Sequence, residues 1–564
     1  MASVLALPRT TVRASRDDLI QRAGIVLLVV WLGATVAAPL ALLLAKSFQD
    51  RNGDFVWLAN YVRYFSTPAL FASLENSVWV AAVSTAIVVP LAFVYAYALT
   101  RSCMPAKALF QALALIPILA PSLLPAISLI YLFGNQGFFK SWMFGNSIYG
   151  PVGIIIAQVF YCFPHALMIL VTALAMADAR LYEAADALGA SSPRIFWTVT
   201  LPGARYGVTS AAFVIFTLVI TDFGIAKVIG GGFNVLATDV YKQVIGQQNF
   251  EMGAVVGMIL LAPALLSFVA DRMVQRRQMA ALTVRAVPLV PKPARRRDLA
   301  LFAFCVVIAG IMIGVLGIAA WGSLITYWPY NLSLSLRNYE FDKLDASGWG
   351  SYWNSLRFAG FTAVVGTVVV FLGAYLVEKS RGFHAVRGLA QLLAMLPLAV
   401  PGLVLGLSYI FFFNARWNPF NVIYATMAIL VVNTIAHFYT VSHLTAVTAL
   451  KQLDAEFESV SQSLKVPFWR TLTRVTIPVC LPAILDVAVY MFMNAMTTVS
   501  SVIFLYGTNT KLAAIAIINM DEAGATAAAA AMAMTIVATS AAVKVAHVAL
   551  SRVLDRTTHA WRRR

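Results

Sequence analysis

The sequence predicts an all-α, polytopic membrane protein: twelve transmembrane helices arranged as two parallel six-helix repeats. Three observations carry this reading. Residues of the AVILMFWYC set make up 60% of the 564 positions, against a globular norm of about 45–50% even with Gly counted. Charged residues supply 12%, about half the usual share. Long apolar stretches recur along the whole chain, and the second half repeats the order of the first. This composition excludes disordered, collagenous and disulfide-scaffold classes. Cys103, Cys162, Cys305 and Cys480 show no C-x-x-C spacing and read as small hydrophobes. The formal charge of +17 reads as Lys and Arg that hold loops in the cytoplasm. No nucleic-acid partner is expected.

A bilayer core of ~30 Å needs about 20 apolar residues of helix. Candidate spans fall at about 24–46, 76–99, 108–133, 149–175, 206–226 and 252–270, and again at about 299–321, 354–377, 388–413, 421–447, 481–505 and 525–549. The first run is too long and starts too late for a signal peptide. Orientation follows from basic residues. Arg9, Arg13, Arg16 and Arg22 precede the first span. Residues 271–298 carry Arg272, Arg276, Arg277, Arg285, Lys292, Arg295, Arg296 and Arg297. Arg552, Arg556, Arg562, Arg563 and Arg564 close the chain. Even numbers of spans separate these three groups, so all are expected in the cytoplasm. Arg101 with Lys107, and Lys379 with Arg381 and Arg387, agree, whereas the alternate loops mix signs. The stretch 271–298 also holds Pro288, Pro291 and Pro293. It reads as a basic cytoplasmic linker between a first domain, 1–270, and a second, 299–564.

The repeat is visible in polar punctuation. Asn76-Ser77 and Asn354-Ser355 each open a span at the corresponding place in its half. Ile-Pro-Ile-Leu-Ala-Pro at 116–121 matches Leu-Pro-Leu-Ala-Val-Pro at 396–401, and Val-Thr-Ala-Leu at 171–174 matches the same four residues at 447–450. An even span number inserts both copies the same way up. A pathway is therefore expected between the halves.

One stretch of each copy is neither apolar nor disordered. In copy one, about 176–205, Ala, Leu and Glu favour helix through about 178–188 around Glu183-Ala184-Ala185. Gly189 allows a sharp turn. Ser192-Pro193 reads as an N-cap followed by Pro at the first helical position of a second short helix. Leu201-Pro202 marks where the chain turns into the next span. The pattern E-A-A-x3-G-x9-[IV]-x-L-P thus predicts a helix–Gly–helix arm on the cytoplasmic surface. Copy two carries the same arm at about 451–480. There Ser459-Val460-Ser461 replaces Glu-Ala-Ala, Lys465 follows Leu464 in place of Gly189, Ile477-Pro478 closes the pattern, and Glu458 stands one position early.

On these residues the chain resembles the fused, duplicated permeases of ATP-binding-cassette (ABC) importers that carry an EAA loop. The resemblance implies that each arm is a coupling helix docking on a separate cytoplasmic ATPase. Its residues here would be Glu183, Ala184, Ala185, Gly189, Leu201, Pro202, Glu458, Ser459, Leu464, Lys465, Ile477 and Pro478. It further implies two ATPase subunits, an extracytoplasmic substrate-binding protein, and a multi-pass place in a bacterial inner membrane. The departures at Ser459 and Lys465 leave open whether both arms dock alike, or whether the second uses Glu458 with Arg470 and Arg474. No cofactor is expected on this chain. It has no G-x-x-x-x-G-K-[ST] phosphate cradle, so ATP and Mg belong to the partner ATPase, and this chain is no enzyme.

The rival reading is a twelve-span secondary transporter, which would place ionisable residues in mid-membrane. Such charge is scarce: Asp222 lies near the end of the fifth span and Asp486 near the start of the eleventh. Gln158 and Asn433 occupy equivalent places, and Asn494 stands alone. These polar residues either line the pathway, with Asp222, or bond neighbouring helices. As to cargo, residues 221–253 and the fused design resemble permeases for 2-aminoethylphosphonate, with ferric iron and thiamine permeases as alternatives. Lys227 and Lys242 would attract a phosphonate by long-range field, or are ordinary loop lysines.

Overall fold

A computed structural model describes residues 16–281, 287, 289–380, 382–454 and 456–558. Arg9, Arg13, Arg285, Pro288, Arg381, Arg562, Arg563 and Arg564 lie outside the described residues.

Nine described helices are long and apolar enough to cross a bilayer unbroken: Arg16–Ser47, Pro68–Arg101, Pro151–Ala175, Ser192–Thr221, Phe250–Gln275, Arg295–Leu324, Gly348–Lys379, Phe468–Thr497 and Thr526–Leu554. Three more crossings are bent pairs: Lys107–Leu119 with Leu123–Phe133 at 99°, His384–Ala399 with Gly402–Phe413 at 116°, and Met427–His437 with Tyr439–Lys451 at 56°. The two sharpest bends fall at the Pro-bearing repeats 116–121 and 396–401. There Pro121 and Pro401 lack the N–H a continuous helix needs. The spans expected at 108–133 and 388–413 are therefore each broken into two helices.

The bent pairs still cross. Arg101, at the end of the second span, donates from Nη2 to the Leu174 carbonyl at 2.5 Å, so the second and fourth spans end at the same face. At the opposite face the Gly150 N–H bonds the Ile229 carbonyl at 2.9 Å. The chain must traverse between Lys107 and Gly150, so the first bent pair crosses, and with each of the three pairs counted as one span the described residues hold twelve crossings.

The first span of each copy packs on the other copy. Tyr409 donates to the Thr35 carbonyl at 2.8 Å, and Trp31 lies 5.7 Å from Tyr439 ring to ring. Reciprocally, Phe302 and Phe304 meet Phe110 and Tyr95 at 5.5 and 6.4 Å. Glycines permit the close approach: a Cβ on Gly322 would stand 2.7 Å from the Tyr131 ring, and one on Gly373 would strike the Tyr439 hydroxyl and Leu28. Within lipid, where apolar burial drives little association, small residues at such crossings let dispersion hold the helices.

The Asn-Ser pairs that marked the repeat have a structural task. Ser77 Oγ accepts the Leu236 N–H at 2.7 Å, and Asn76 donates to the Asn234 carbonyl at 3.0 Å. In copy two Ser355 Oγ accepts the Ala513 N–H at 2.8 Å, and Asn354 donates to the Asn509 carbonyl at 2.9 Å. Each pair satisfies the start of a short helix on the face opposite the arms, Leu236–Tyr241 or Ala513–Glu522, whose first N–H groups have no partner within the helix.

The basic segment between the halves is helical at both ends. The sixth span continues as Phe250–Ala281, and the next helix starts at Arg295. Between them Val287 accepts the Ala179 N–H at 2.9 Å, and Lys292 pairs with Asp186 at 2.8 Å, so this stretch lies along the first arm.

Candidate functional site

The first arm begins at Asp178, whose carboxylate accepts the Arg180 N–H at 3.1 Å and pairs with its guanidinium at 2.7 Å. Those bonds from Arg180 hold the Asp178 carboxyl at about 2, below the ordinary carboxylate range. The helix runs Ala179–Ala187 and ends at Gly189, with φ +70°. The Gly189 N–H bonds the Asp186 carbonyl at 2.9 Å and the Ala190 N–H bonds the Ala185 carbonyl at 3.0 Å. This pair of bonds is the Schellman closure, which needs a left-handed residue at its corner. A Cβ added to Gly189 would meet nothing within 4 Å, so only backbone strain resists a side chain there.

The second arm closes the same way. Its helix runs Glu456–Ser463, and the Val466 N–H bonds the Ser461 carbonyl at 2.9 Å, matching the Ala190 bond of the first arm. Lys465, in the Gly189 position, takes φ +54°. Lys465 thus keeps the turn under strain rather than dispensing with it. The loss of Gly removed an amino-acid type and not a shape.

The second short helix departs from expectation. Its N-cap is Ser191, with Ser192 and Pro193 at the first two helical positions. No turn occurs at Pro202. Ser192–Ile195 passes through a π-helical stretch, Phe196–Thr200, directly into Leu201–Thr221. Copy two repeats this with Leu472–Thr476 before Pro478. A proline inside a helix removes one i→i−4 donor, and the widened turn just before each proline accommodates that missing bond. The second helix of each arm is therefore continuous with the fifth or eleventh span.

Both arms present an apolar ridge to solvent. Leu181 and Leu188 are 59% and 87% exposed; their counterparts Phe457 and Leu464 are 52% and 69% exposed, with Val460 between them at 56%. Of these only Leu464 stood out in the sequence. The available signal was spacing: i, i+3 and i+7 apolar positions on a short helix, recurring in both copies. Glu183, Ala184 and Ser459 are exposed on the same helices, Ala185, Leu201 and Ile477 are half-buried, and Pro202 and Pro478 are exposed at the root of their spans. Glu458 is not free to dock. It is half-buried and pairs with Lys379 at 3.1 Å.

Of the polar residues singled out within or at the ends of the spans, two come together. Gln158 Nε2 donates to Asp222 Oδ2 at 3.1 Å, and the Ile225 N–H donates to the same oxygen at 2.9 Å. Asn433 is fully buried, and neither of its amide atoms has a hydrogen-bond partner among the described residues. Asn494 bonds its own helix, to the Tyr490 carbonyl at 2.8 Å. Asp486 pairs with His547 at 3.1 Å. Among the described residues no cluster of three or more His, Cys, Asp or Glu side chains forms a metal-binding group.

Residues 89–279 and 366–556 both match the family described as the inner membrane component of binding-protein-dependent transport systems. One match falls in each repeat, and together they cover more than half of the chain. The chain belongs to this family. It is a fused, two-repeat permease of the ABC importer class. A Haemophilus influenzae relative carrying a ferric-transport permease name is 27% identical over 493 residues, 85% of this chain and 76% of its own. A ferric transport system permease from Actinobacillus pleuropneumoniae is 29% identical over 426 residues, 73% of this chain and 61% of its own. A thiamine transport system permease from Brucella abortus is 24% identical over 400 residues, 69% and 70%. These relatives favour the ferric or thiamine alternative over the aminoethylphosphonate expectation. Of the two lysines named for a phosphonate, Lys242 bonds the Asn234 side-chain amide oxygen, whereas Lys227 is paired with Glu522 and seated 4.7 Å above the Tyr241 ring. A lysine so neutralised is a poor lure for an anion.

Proposed function

We propose that this permease carries ferric iron across a bacterial inner membrane. In this reading a substrate-binding protein delivers the iron, and two separate ATPase subunits supply the energy. The observation that carries the coupling part is the pair of arms. Two short helices on one face, one from each repeat, share a Schellman turn and an exposed apolar ridge, and beyond each turn a second helix runs unbroken into a span. A groove on an ATPase that grips such a ridge gains roughly 25 cal/mol per Å² of apolar surface covered, and its movement reaches the membrane through the turn and the helix that follows it. Both termini and the arms lie in the cytoplasm, on the count of Lys and Arg. Domain limits of 1–270 and 299–564 with the basic linker between them serve the same scheme. The sequence has no phosphate-cradle motif, so ATP and Mg are assigned to the partner.

Two features favour a ferric cargo. Two relatives that match 85% and 73% of this chain carry ferric names, against 69% for the thiamine permease. The polar group formed by Gln158 and Asp222 offers hard oxygen atoms, which suit a hard cation as substrate. The experiment is ATP-dependent uptake by proteoliposomes holding the permease, its ATPase and its binding protein, with labelled ferric iron, thiamine and 2-aminoethylphosphonate in parallel. Accumulation of iron alone is the expected result. Uptake of thiamine or the phosphonate without iron would overturn the cargo, and uptake that persists without the ATPase would overturn the importer reading.

A further inference from the structure

Positions 101 and 379 end the second and eighth spans, and positions 182 and 458 sit in the first and second arms. The repeat relates the two members of each pair. In copy one the Arg101 guanidinium stands 5.3 Å over the Tyr182 ring while its Nη2 bonds the Leu174 carbonyl at 2.5 Å. In copy two Lys379 Nζ meets Glu458 at 3.1 Å. The chemistry differs, a cation on an aromatic face against an ion pair, but the mechanical link is the same. We propose that Arg101 and Lys379 are positioning residues for energy coupling: each ties its arm to the end of the second or eighth span, so that displacement of the arm moves two membrane helices rather than one.

The geometry supports a lever more than a surface contact. Arg101 is 5% exposed, and the Lys379 and Glu458 side chains are 9% and 24% exposed. Both cations sit at the C-terminal end of a helix, where the free carbonyls favour positive charge and fix the base of the contact. A second bond runs from each arm to the following span. The Tyr182 hydroxyl bonds Thr200 Oγ1 at 3.1 Å, and Ser461 bonds Thr471. Each arm is thus held between the end of one span and the start of another. An element so gripped cannot move without shifting both. The apolar ridges at Leu181, Leu188, Phe457, Val460 and Leu464 remain clear of these bonds and open to a partner.

The alternation also explains why Glu458 stands one place before the Glu183 position. It replaces Tyr182, and it answers a lysine where copy one has an arginine. Arginine stacks well on an aromatic face, whereas the compact ammonium of lysine is served better by a carboxylate.

This inference rests on the arms being the ATPase contact, and one set of measurements separates the two ideas. The assembled complex is made with wild-type permease, Glu458→Gln, Lys379→Gln, the double variant and Tyr182→Leu. Three quantities are read: ATPase co-purified, ATP hydrolysed, and substrate moved per ATP. The lever predicts normal co-purification and hydrolysis, with substrate per ATP falling roughly fivefold in each single variant. The double variant should be no worse than either single one, because the two side chains share one interaction. An unchanged ratio in all variants, or additive losses in the double, overturns the lever. A merely structural role would lower the amount of complex while leaving the ratio untouched, and that too overturns it. Failure of the wild-type complex to retain ATPase would instead overturn the docking reading.

Discussion

The two arms make opposite predictions at one corner. Gly189 has φ +70° and Lys465 φ +54°, and each stands where a Schellman turn requires the left-handed region. A non-Gly residue pays roughly 1–2 kcal/mol to stay there. Nothing lies within 4 Å of a Cβ on Gly189, so Gly189→Ala should cost about that amount and no more. Gly189→Val should cost more, since a β-branched side chain fits positive φ worst. Lys465→Gly removes the same strain and should firm the second arm by about 1 kcal/mol. The assay is amide hydrogen exchange at Ala190 and Val466, whose N–H groups close the two turns. Protection should drop roughly tenfold at Ala190 in Gly189→Ala and rise several-fold at Val466 in Lys465→Gly. Coupled uptake should follow, weakened by the first change and preserved by the second. If Gly189→Ala leaves exchange and uptake unchanged, or if Lys465→Gly loosens its arm, the shared-turn argument is wrong.

Leu188→Asp and Leu464→Asp should each release ATPase from the purified complex while leaving permease levels in the membrane intact, because each changes an exposed ridge position and no buried contact. The purified chain alone should bind and hydrolyse no ATP; turnover that survives removal of every trace of partner would refute the division of labour. A reporter fused after residue 285 should report cytoplasm, and one inserted near residue 345 the outside. Reversal of either would break the orientation reasoning built on Lys and Arg.

Composition and periodicity were enough for the membrane class, the two repeats and the position of both arms. Those features rest on local quantities, apolar run length and residue order, which no distant contact can alter. The bends at 116–121 and 396–401 were latent in their prolines, yet a span's length is the same whether it runs straight or turns by 99°. The turn at Pro202 was misread because the widened helical stretch before it depends on how the following span packs, and Ser191 rather than Ser192 caps the helix by a shift of one position. Lys465 looked like a lost feature, since sequence reports the amino acid and only the backbone reports φ. Glu458 looked like a displaced docking residue until Lys379, far earlier in the chain, stood beside it. Likewise Gln158 and Asn433 occupy equivalent places in the repeat, but only Gln158 finds a carboxylate across the bundle. Which polar side chains meet is a property of helices that cross, and helix crossing is set by packing of the whole bundle rather than by spacing along one chain.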